Sequence, residues 1–308
     1  MLSEAVIIVA MKFILRLNVL EKYSEIQIDE QKFQLLKSSR VILSEALFLE
    51  EKYEILVSNY MELEKEIVTL MASEMVRATG GYDDFFDLIL ILNVRLVNLL
   101  TSVRLYTDTL ASHLAACLPE ISNIKDKVKN LFKTEYDNNF EYRFMEALRN
   151  HVQHRGAPVH KVSIGSQWTD IDKINGLSEY SIYISAQKEK LLSDNSFKKS
   201  VLNQMPDEVN LCAATRKYIE SISFIHHQAR EMIDCNVVKA RRIFEDTINL
   251  YKTENEGKFI GLHAFACDDD RKIDEVPLFL DWDDVRKRLV IQNRQLINLS
   301  KRYVTRAC

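Results

Sequence analysis

The sequence predicts an all-α protein, a bundle of long helices with a minor β hairpin and small strands in its C-terminal half. Three observations support this fold class. Only 7 glycines and 4 prolines occur in 308 residues, so few positions interrupt a helix. Several uninterrupted stretches repeat apolar residues at spacings of three and four, the period of an amphipathic helix. The alternation that is typical of strands is confined to short segments after Pro158.

The first apolar stretch, Ala5 to Leu20, predicts a buried helix rather than a membrane anchor. Lys12 and Arg16 lie inside the run, and each charge costs roughly 3 kcal/mol near the centre of a bilayer. A signal peptide carries its charges before the apolar core instead. No other apolar run stays free of charges for about 18 residues. We therefore expect a soluble, cytoplasmic protein that does not enter a membrane.

A heptad seam runs along the next stretch, Gln31 to Arg77, for about four heptads. Its apolar members alternate spacings of four and three: Ile42, Ala46, Leu49, Tyr53, Leu56, Tyr60, Leu63, Ile67 and Leu70. Two interpretations fit this pattern. The seam is either a coiled-coil dimerisation arm or the buried face of a helix that packs on an antiparallel partner within the same chain.

A second long helix is predicted over Asp83 to Cys117, separated from the first by Gly80 and Gly81. The two helices are therefore expected to be antiparallel. A shorter helix, Ile121 to Lys133, follows them and carries four lysines. The four lysines are Lys125, Lys127, Lys129 and Lys133. They are candidate contacts to an RNA backbone, and the alternative is that they form a solvated helix face.

After Pro158 the pattern changes to short strands and further helices. Residues 160–166 and 180–185 alternate like strands and predict a hairpin, with a turn at Asn175-Gly176. The other predicted elements are helices over 197–205, 207–255 and 282–305, the last one basic, and strands over 258–266 and 277–280. Because no linker stands out, the predicted division into residues 1–158 and 159–308 describes two parts packed as one unit.

Charge and motif content narrow the possible functions. The net charge of −4 gives no overall basic field, so any nucleic-acid site has to be a local patch. The five cysteines are scattered and never spaced as CxxC, which indicates reduced thiols rather than disulfides or a zinc site. His227 and Glu231 are interpreted as a polar stripe on a helix rather than a metal site, since the pattern HExxH is absent. Patterns typical of nucleotide-binding and calcium-binding loops are absent as well. No metal and no other cofactor is predicted.

The stretch that carries chemistry is RNHVQH, Arg149 to His154, in the middle of a predicted amphipathic helix that Gly156 and Pro158 stop. Asn150 and His154 lie four residues apart and therefore share one face of that helix. The long side chain of Arg149 can bring its guanidinium round to the same face. A cation, an amide and an imidazole together suit a phosphodiester, because they neutralise charge, orient the group and transfer a proton.

An alternative interpretation of the motif is structural. Arg149 and His154 can be satisfied by packing or by the last carbonyls of the helix, where a positive charge is favourable. The neighbouring His151 and His160 are given no catalytic role, because neither lies four residues from Asn150.

The motif resembles that of HEPN domains, many of which are metal-independent ribonucleases. The pattern R-N-x-x-x-H has a polar residue directly after the arginine, as in that family. YRFMEALRNHVQHRGAPV is similar to a set of uncharacterised bacterial HEPN-like proteins with an LRNxxQHxxxP pattern. NVRLVNLLTSVRLYTDTL, Asn93 to Leu110, resembles the long helix that precedes the motif in that set. The resemblance covers roughly residues 83–160.

The resemblance implies a metal-independent endoribonuclease and a role for each motif residue. His154 would act as general base or acid, Arg149 would neutralise the phosphorane, and Asn150 would position the pair. Arg155, directly after the motif, joins the four lysines as a candidate RNA contact. HEPN ribonucleases generally pair through the motif helix, so a homodimer is expected.

The resemblance also implies a biological setting, and two other functions remain open. Family members often act as toxins or in antiphage defence, restrained by a protein partner or antitoxin. One alternative is a non-catalytic helical scaffold or regulator that keeps a HEPN fold. The other is a toxin-neutralising partner, which would use the heptad seam.

Overall fold

The computed structural model describes residues 11–19, 23–77, 80–170, 176–268 and 271–304. In these ranges the chain is mostly helical and also forms two small antiparallel sheets. The helices are α1 (Glu30–Val76), α2 (Tyr82–Cys117), α3 (Ile124–Asn138), α4 (Phe140–His154), α5 (Lys188–Leu192), α6 (Lys199–Leu202), α7 (Leu211–Glu254) and α8 (Asp281–Gln292). The strands are β1 (Lys12–Leu17), β2 (Ile26–Ile28), β3 (Lys161–Trp168), β4 (Ser178–Gln187), β5 (Glu208–Asn210), β6 (Leu262–Asp268) and β7 (Arg271–Pro277).

Two compact units are built from discontinuous segments of the chain. The first unit contains the described parts of Met1–Glu51, Ser112–Ile124 and Arg230–Gln292. The second unit contains those of Lys52–Ala111, Lys125–Ala229 and Asn293–Cys308. Helices α1, α2 and α7 each contribute to both units. The division that the sequence predicted near residue 158 falls inside the second unit, because the change of pattern there marks a change of secondary structure.

Helices α1 and α2 form an antiparallel pair, as the sequence predicts. In the second unit, the guanidinium of Arg95 donates to Glu66 at 2.9 and 3.0 Å. Further from the connection between the helices, the rings of Tyr53 and Tyr106 lie 5.9 Å apart. The later position on α2 therefore meets the earlier position on α1, which defines the antiparallel direction.

The heptad seam of α1 is buried within the chain. Leu56 is fully buried, and Leu63 and Ile67 of α1 line one small void together with Leu92 and Leu96 of α2. The structure thus shows the second of the two interpretations, an intramolecular partner. The residues at the two ends of the seam, Ile42 and Leu70, are half-buried.

Among the described residues, α2 is the helix that passes a test of length and composition for spanning a membrane. Its most apolar window of 18 residues has a mean hydropathy of 1.7 and is 39% buried. A core helix of a soluble protein passes the same test. In the second unit, Leu96 and Leu99 of α2 are buried, and Arg95 forms an ion pair. A cytoplasmic location stays a prediction.

The four-stranded sheet corrects the helix predicted over Ala5 to Leu20. Its strand order is β2-β1-β6-β7, so β1 is a central strand, and Phe13, Ile14 and Leu15 are consecutive buried residues. Burial on both faces gives a continuous apolar run, which periodicity cannot distinguish from a buried helix. The helix prediction is wrong for β1, and its parts before Met11 and at Leu20 lie outside the described residues.

The predicted hairpin is confirmed. Strands β3 and β4 pair antiparallel, from Lys161 opposite Ser185 to Trp168 opposite Ser178. Strand β5, which the sequence did not predict, extends this sheet to the order β3-β4-β5. Asn175 of the predicted turn lies outside the described residues.

The final helix is shorter than predicted over 282–305. Helix α8 ends at Gln292, and only a 3-10 turn at Leu299–Lys301 follows it within the described residues up to 304. The backbone N–H of Leu296 donates to the hydroxyl of Ser223 at 2.8 Å, outside any helical pattern. Such contacts with α7 replace helical hydrogen bonds, and local periodicity does not report them.

The remaining boundaries differ from prediction by a few residues. Helix α7 confirms the long helix predicted over 207–255, although β5 occupies its first predicted positions. The short strand predicted over 277–280 is wrong, because β7 ends at Pro277 after pairing with β6.

Candidate functional site

The motif helix α4 packs through its apolar face and ends where the sequence predicts. Phe144 and Leu148 are fully buried, and the ring of Phe144 lies 6.5 Å from that of Phe197. The N–H of Arg155 donates to the carbonyl of His151 at 2.8 Å, which closes the last turn.

A hydrogen bond joins the two segments on which the family resemblance depends. The backbone N–H of Val159, just beyond the motif, donates to the side-chain oxygen of Asn93 on α2 at 2.9 Å. This contact fixes the direction in which the chain leaves α4.

A cavity of about 480 Å³ opens beside the C-terminal half of α4, within the second unit. Its walls come from the end of α3, from α4, and from the segment between α5 and α6. The polar and charged groups in its lining are Tyr136, Glu146, Asn150, His151, His154, Asp194, Ser196 and Lys198. The cavity is thus a polar site assembled from segments up to about 60 residues apart in sequence.

Asn150 and His154 are brought together as the motif predicts. Both side chains are exposed, and both line the cavity. With 3.6 residues per turn, the cavity-facing residues of α4 occupy an arc of roughly 140°. That arc runs from Glu146 through Asn150 and His154 to His151 and excludes Arg149.

Arg149 is buried rather than open to the cavity. Its side chain is only 6% exposed, and its two terminal nitrogens contact the carboxylate of Glu146 at 2.9 and 3.1 Å. The hydroxyl of Tyr218 on α7 donates to the same carboxylate at 2.5 Å. Burial, followed by the charge of Glu146, raises the pKa of Tyr218 well above its usual value.

This ion pair changes the interpretation of Arg149. The sequence assigned its charge to phosphate, on the reasoning that the motif itself holds no acid. Glu146, three residues earlier, supplies that acid and neutralises the guanidinium. In this arrangement Arg149 anchors α4 on α7, so the phosphate-binding role predicted for it stays a prediction that the geometry does not favour.

A second histidine enters the site. Nδ1 of His151 lies 2.7 Å from the carboxylate of Asp194, and both side chains are more than nine-tenths buried. The other oxygen of Asp194 accepts the hydroxyl of Ser196 at 2.5 Å and its N–H at 2.9 Å. The hydrogen bonds from Ser196 and His151 hold the pKa of Asp194 well below its usual range. The carboxylate is therefore ionised at neutral pH.

Lys198, in the segment before α6, adds a cation to the lining of the cavity. Its ammonium forms a hydrogen bond with the hydroxyl of Tyr136 and lies 4.4 Å from the centre of that ring. The contact joins the end of α3 to the segment before α6. Unlike a carboxylate, a tyrosine hydroxyl does not cancel the lysine charge.

The predicted RNA contacts divide by helix face. Lys125, Lys129 and Lys133 on α3 are spaced by four residues and share a face with Tyr136 at the cavity. Lys127 lies roughly 160° away from them. All four lysines are exposed.

Arg155, the fifth candidate RNA contact, is exposed at the edge of the site. Its Nε lies 3.6 Å from the carboxylate of Asp194, which offsets part of its charge.

The sequence did not indicate the second half of the site. It gave His151 no role, and it singled out neither Asp194 nor Lys198. Asp194 is 43 residues from its partner, and a pairing at that distance leaves no local pattern. The only available signal was the presence of two histidines three residues apart on one predicted helix.

Metal ligands do not cluster in the part of the chain that the structure describes. There, no three His, Cys, Asp or Glu side chains are placed to hold an ion. Comparison of the chain with protein-family models, with curated proteins and with solved structures gives no match. The HEPN resemblance therefore depends on the residues already quoted.

The buried ion pair predicts a structural role for Arg149. Replacing one member of a buried pair leaves an uncompensated charge, so Arg149→Met should lower the free energy of unfolding by about 3 kcal/mol. Arg155→Met, directly after the end of α4, is the matched control and should change it by less than about 0.5 kcal/mol. Urea unfolding of both variants measures the difference. A stable Arg149→Met protein would show that this guanidinium is available for another purpose.

Proposed function

We propose that the chain is a metal-independent endoribonuclease of HEPN type, with the long-helix bundle that the family resemblance implies. The observation that supports the proposal best is the cavity at α4. There the amide of Asn150 and the imidazole of His154 open beside the ammonium of Lys198. These are the groups that cleavage of a phosphodiester requires: an orienting donor, a proton-transfer group and a cation.

In this proposal His154 transfers a proton to or from the reacting oxygens, and Asn150 orients the phosphate. Lys198 supplies the positive charge at phosphate, because Glu146 already neutralises Arg149. The substrate is RNA, since the neighbouring 2′-hydroxyl is the nucleophile and DNA lacks it. Cleavage leaves a 2′,3′-cyclic phosphate and a 5′-hydroxyl.

RNA beyond the cleavage point lies along α3 in this proposal. The row of Lys125, Lys129 and Lys133 leads toward Tyr136, where the strand enters the cavity. A ring at that position offers a stacking surface to a base. The row is short and the net charge of the chain is −4, so a single strand fits it better than a large duplex footprint.

The biological setting is proposed from the resemblance alone: a toxin or an antiphage effector restrained by a protein partner. The alternative of a toxin-neutralising partner that uses the heptad seam is less favoured, because the chain itself buries that seam. The RNA cleavage assay described next distinguishes a ribonuclease from the alternative of a non-catalytic scaffold.

The purified protein is expected to cleave RNA in the presence of EDTA and to leave cyclic phosphate or 3′-phosphate ends. His154→Ala should lower the rate by about 10² to 10⁴ without changing the thermal midpoint, since a proton-transfer group is lost. Lys239→Ala, an exposed position on α7 outside the cavity lining, is the control. Cleavage products are measured by gel and mass spectrometry. A strict requirement for magnesium, shown with folded metal-free protein, contradicts the mechanism.

The helix-face assignment predicts which lysines contact RNA. Binding of a labelled single strand to the His154→Ala protein is measured between about 50 and 200 mM salt. Replacing Lys129 and Lys133 together by alanine should reduce the slope of log K against log salt by roughly 1.4, because two phosphate contacts are lost. Lys127→Ala should leave the slope unchanged. If all three lysines had equal effects on the salt dependence, RNA would be attracted by a diffuse positive field and would not follow one face of α3.

The proposed assembly is a two-fold homodimer through α4, since closed two-fold dimers are common and exposed Asn150, Gln153 and His154 lie at one end of that helix. Light scattering at assay concentration should give twice the chain mass of 35.9 kDa. Gln153→Glu would place two like charges at the interface and should shift the protein toward the monomer. A fully active monomer contradicts this assembly.

A further inference from the structure

Cleavage through the 2′-hydroxyl needs one group that takes a proton and another that gives one. The family motif offers a single histidine, so a second group has to come from elsewhere. The cavity holds a second imidazole from the same helix. His151 precedes His154 by three residues, which makes the two rings neighbours on the surface of α4.

His151 is oriented for proton transfer by Asp194. The ionised carboxylate lies 2.7 Å from Nδ1, so Nδ1 carries a proton and donates it to Asp194. In the neutral ring this tautomer leaves the lone pair on Nε2. The same carboxylate stabilises the imidazolium that forms when Nε2 takes a proton, as in other histidine bases held by a buried acid. Ser196 fixes the carboxylate in turn.

The Nε2 edge of His151 is not covered by a side chain at position 156. A Cβ atom placed on Gly156 would lie 3.2 Å from Nε2. The glycine thus allows the chain to turn beside the ring without blocking it. Within the described residues no hydrogen bond to Nε2 is found, whereas Nδ1 is fully engaged.

We propose that His151 is a second catalytic residue, the general base, and that Asp194 is its positioning residue. Nε2 of His151 takes the proton of the 2′-hydroxyl while that oxygen attacks phosphorus. His154 gives a proton to the 5′-oxygen as the P–O5′ bond breaks. One proton is taken and one is given, and the products are the cyclic phosphate and the 5′-hydroxyl. This inference rests on the proposed ribonuclease function and makes the proton-transfer pair complete within one chain.

A purely structural role of His151 has to be distinguished from the catalytic one. The pair of His151 and Asp194 also ties the segment before α6 to α4, and that role alone would explain its burial. The amide nitrogen of asparagine at position 151 stands close to the position of Nδ1 and keeps an N–H donor for Asp194, but it cannot transfer protons. His151→Asn should therefore unfold at a temperature close to that of the wild type while the cleavage rate falls by about 10² to 10⁴. The low-pH limb of the pH–rate profile should disappear with it.

The two imidazoles are told apart with a substrate whose leaving group needs no proton, the 4-nitrophenyl ester of uridine 3′-phosphate. On this ester His154→Ala should recover most of its lost rate, because the acid is no longer required. His151→Asn should not recover, because the 2′-hydroxyl still has to lose its proton. The opposite pattern overturns the assignment of His151 as the base. Asp194→Asn should lower the cleavage rate less than His151→Asn does, and it should keep the limb of the pH–rate profile that depends on His154.

Mixing the His151→Asn and His154→Ala proteins tests whether one chain supplies both groups. If it does, the mixture recovers no activity. Recovery would show that the pair is composite between two copies and would overturn the inference. Wild-type activity in His151→Asn overturns the inference but leaves the proposed function standing. A wild-type protein that cleaves no RNA removes both.

Discussion

The guanidinium of Arg149, whose side chain is only 6% exposed, requires a counter-charge. The arrangement of the candidate site depends on how the chain supplies that charge. Glu146 lies one turn before Arg149 on α4, and Tyr218 of α7 completes the carboxylate. This set fixes the rotation of α4 about its own axis. Once Arg149 faces inward, the helical repeat places Asn150 and His154 at the cavity and turns His151 toward Asp194.

The electrostatics of the cavity follow from the same arrangement. Two carboxylates reach its walls: Glu146 is paired with the guanidinium of Arg149, and Asp194 accepts hydrogen bonds from His151 and Ser196 and lies 3.6 Å from Nε of Arg155. Lys198 meets a tyrosine hydroxyl and keeps its charge. The cavity therefore offers a cation and imidazoles to an anionic ligand, although the chain as a whole is acidic. A local field of this kind is invisible in net charge.

The short segment between α5 and α6 supplies several residues both to the cavity and to the core. It brings Asp194, Ser196 and Lys198 to the motif helix, while Phe197 packs against Phe144 in the core. Packing and chemistry thus depend on the same few residues. This coupling explains why the proton-transfer role proposed for His151 has to be separated from its structural contacts by a substitution that keeps the hydrogen bond.

The sequence by itself determined the long helices, the antiparallel pairing of α1 with α2, the β3–β4 hairpin and the shared face of Asn150 and His154. Each of these is set by local periodicity or by stop residues, which act within a few turns of chain. Tertiary structure decided the rest. Strand β1 is a strand because two neighbours pair with it, and the segment after Gln292 is not helical because α7 offers it other partners. The environment of Arg149 and the pairing of His151 with Asp194 depend on contacts between residues that are 43 to 72 positions apart in sequence. At that distance composition and spacing carry no information.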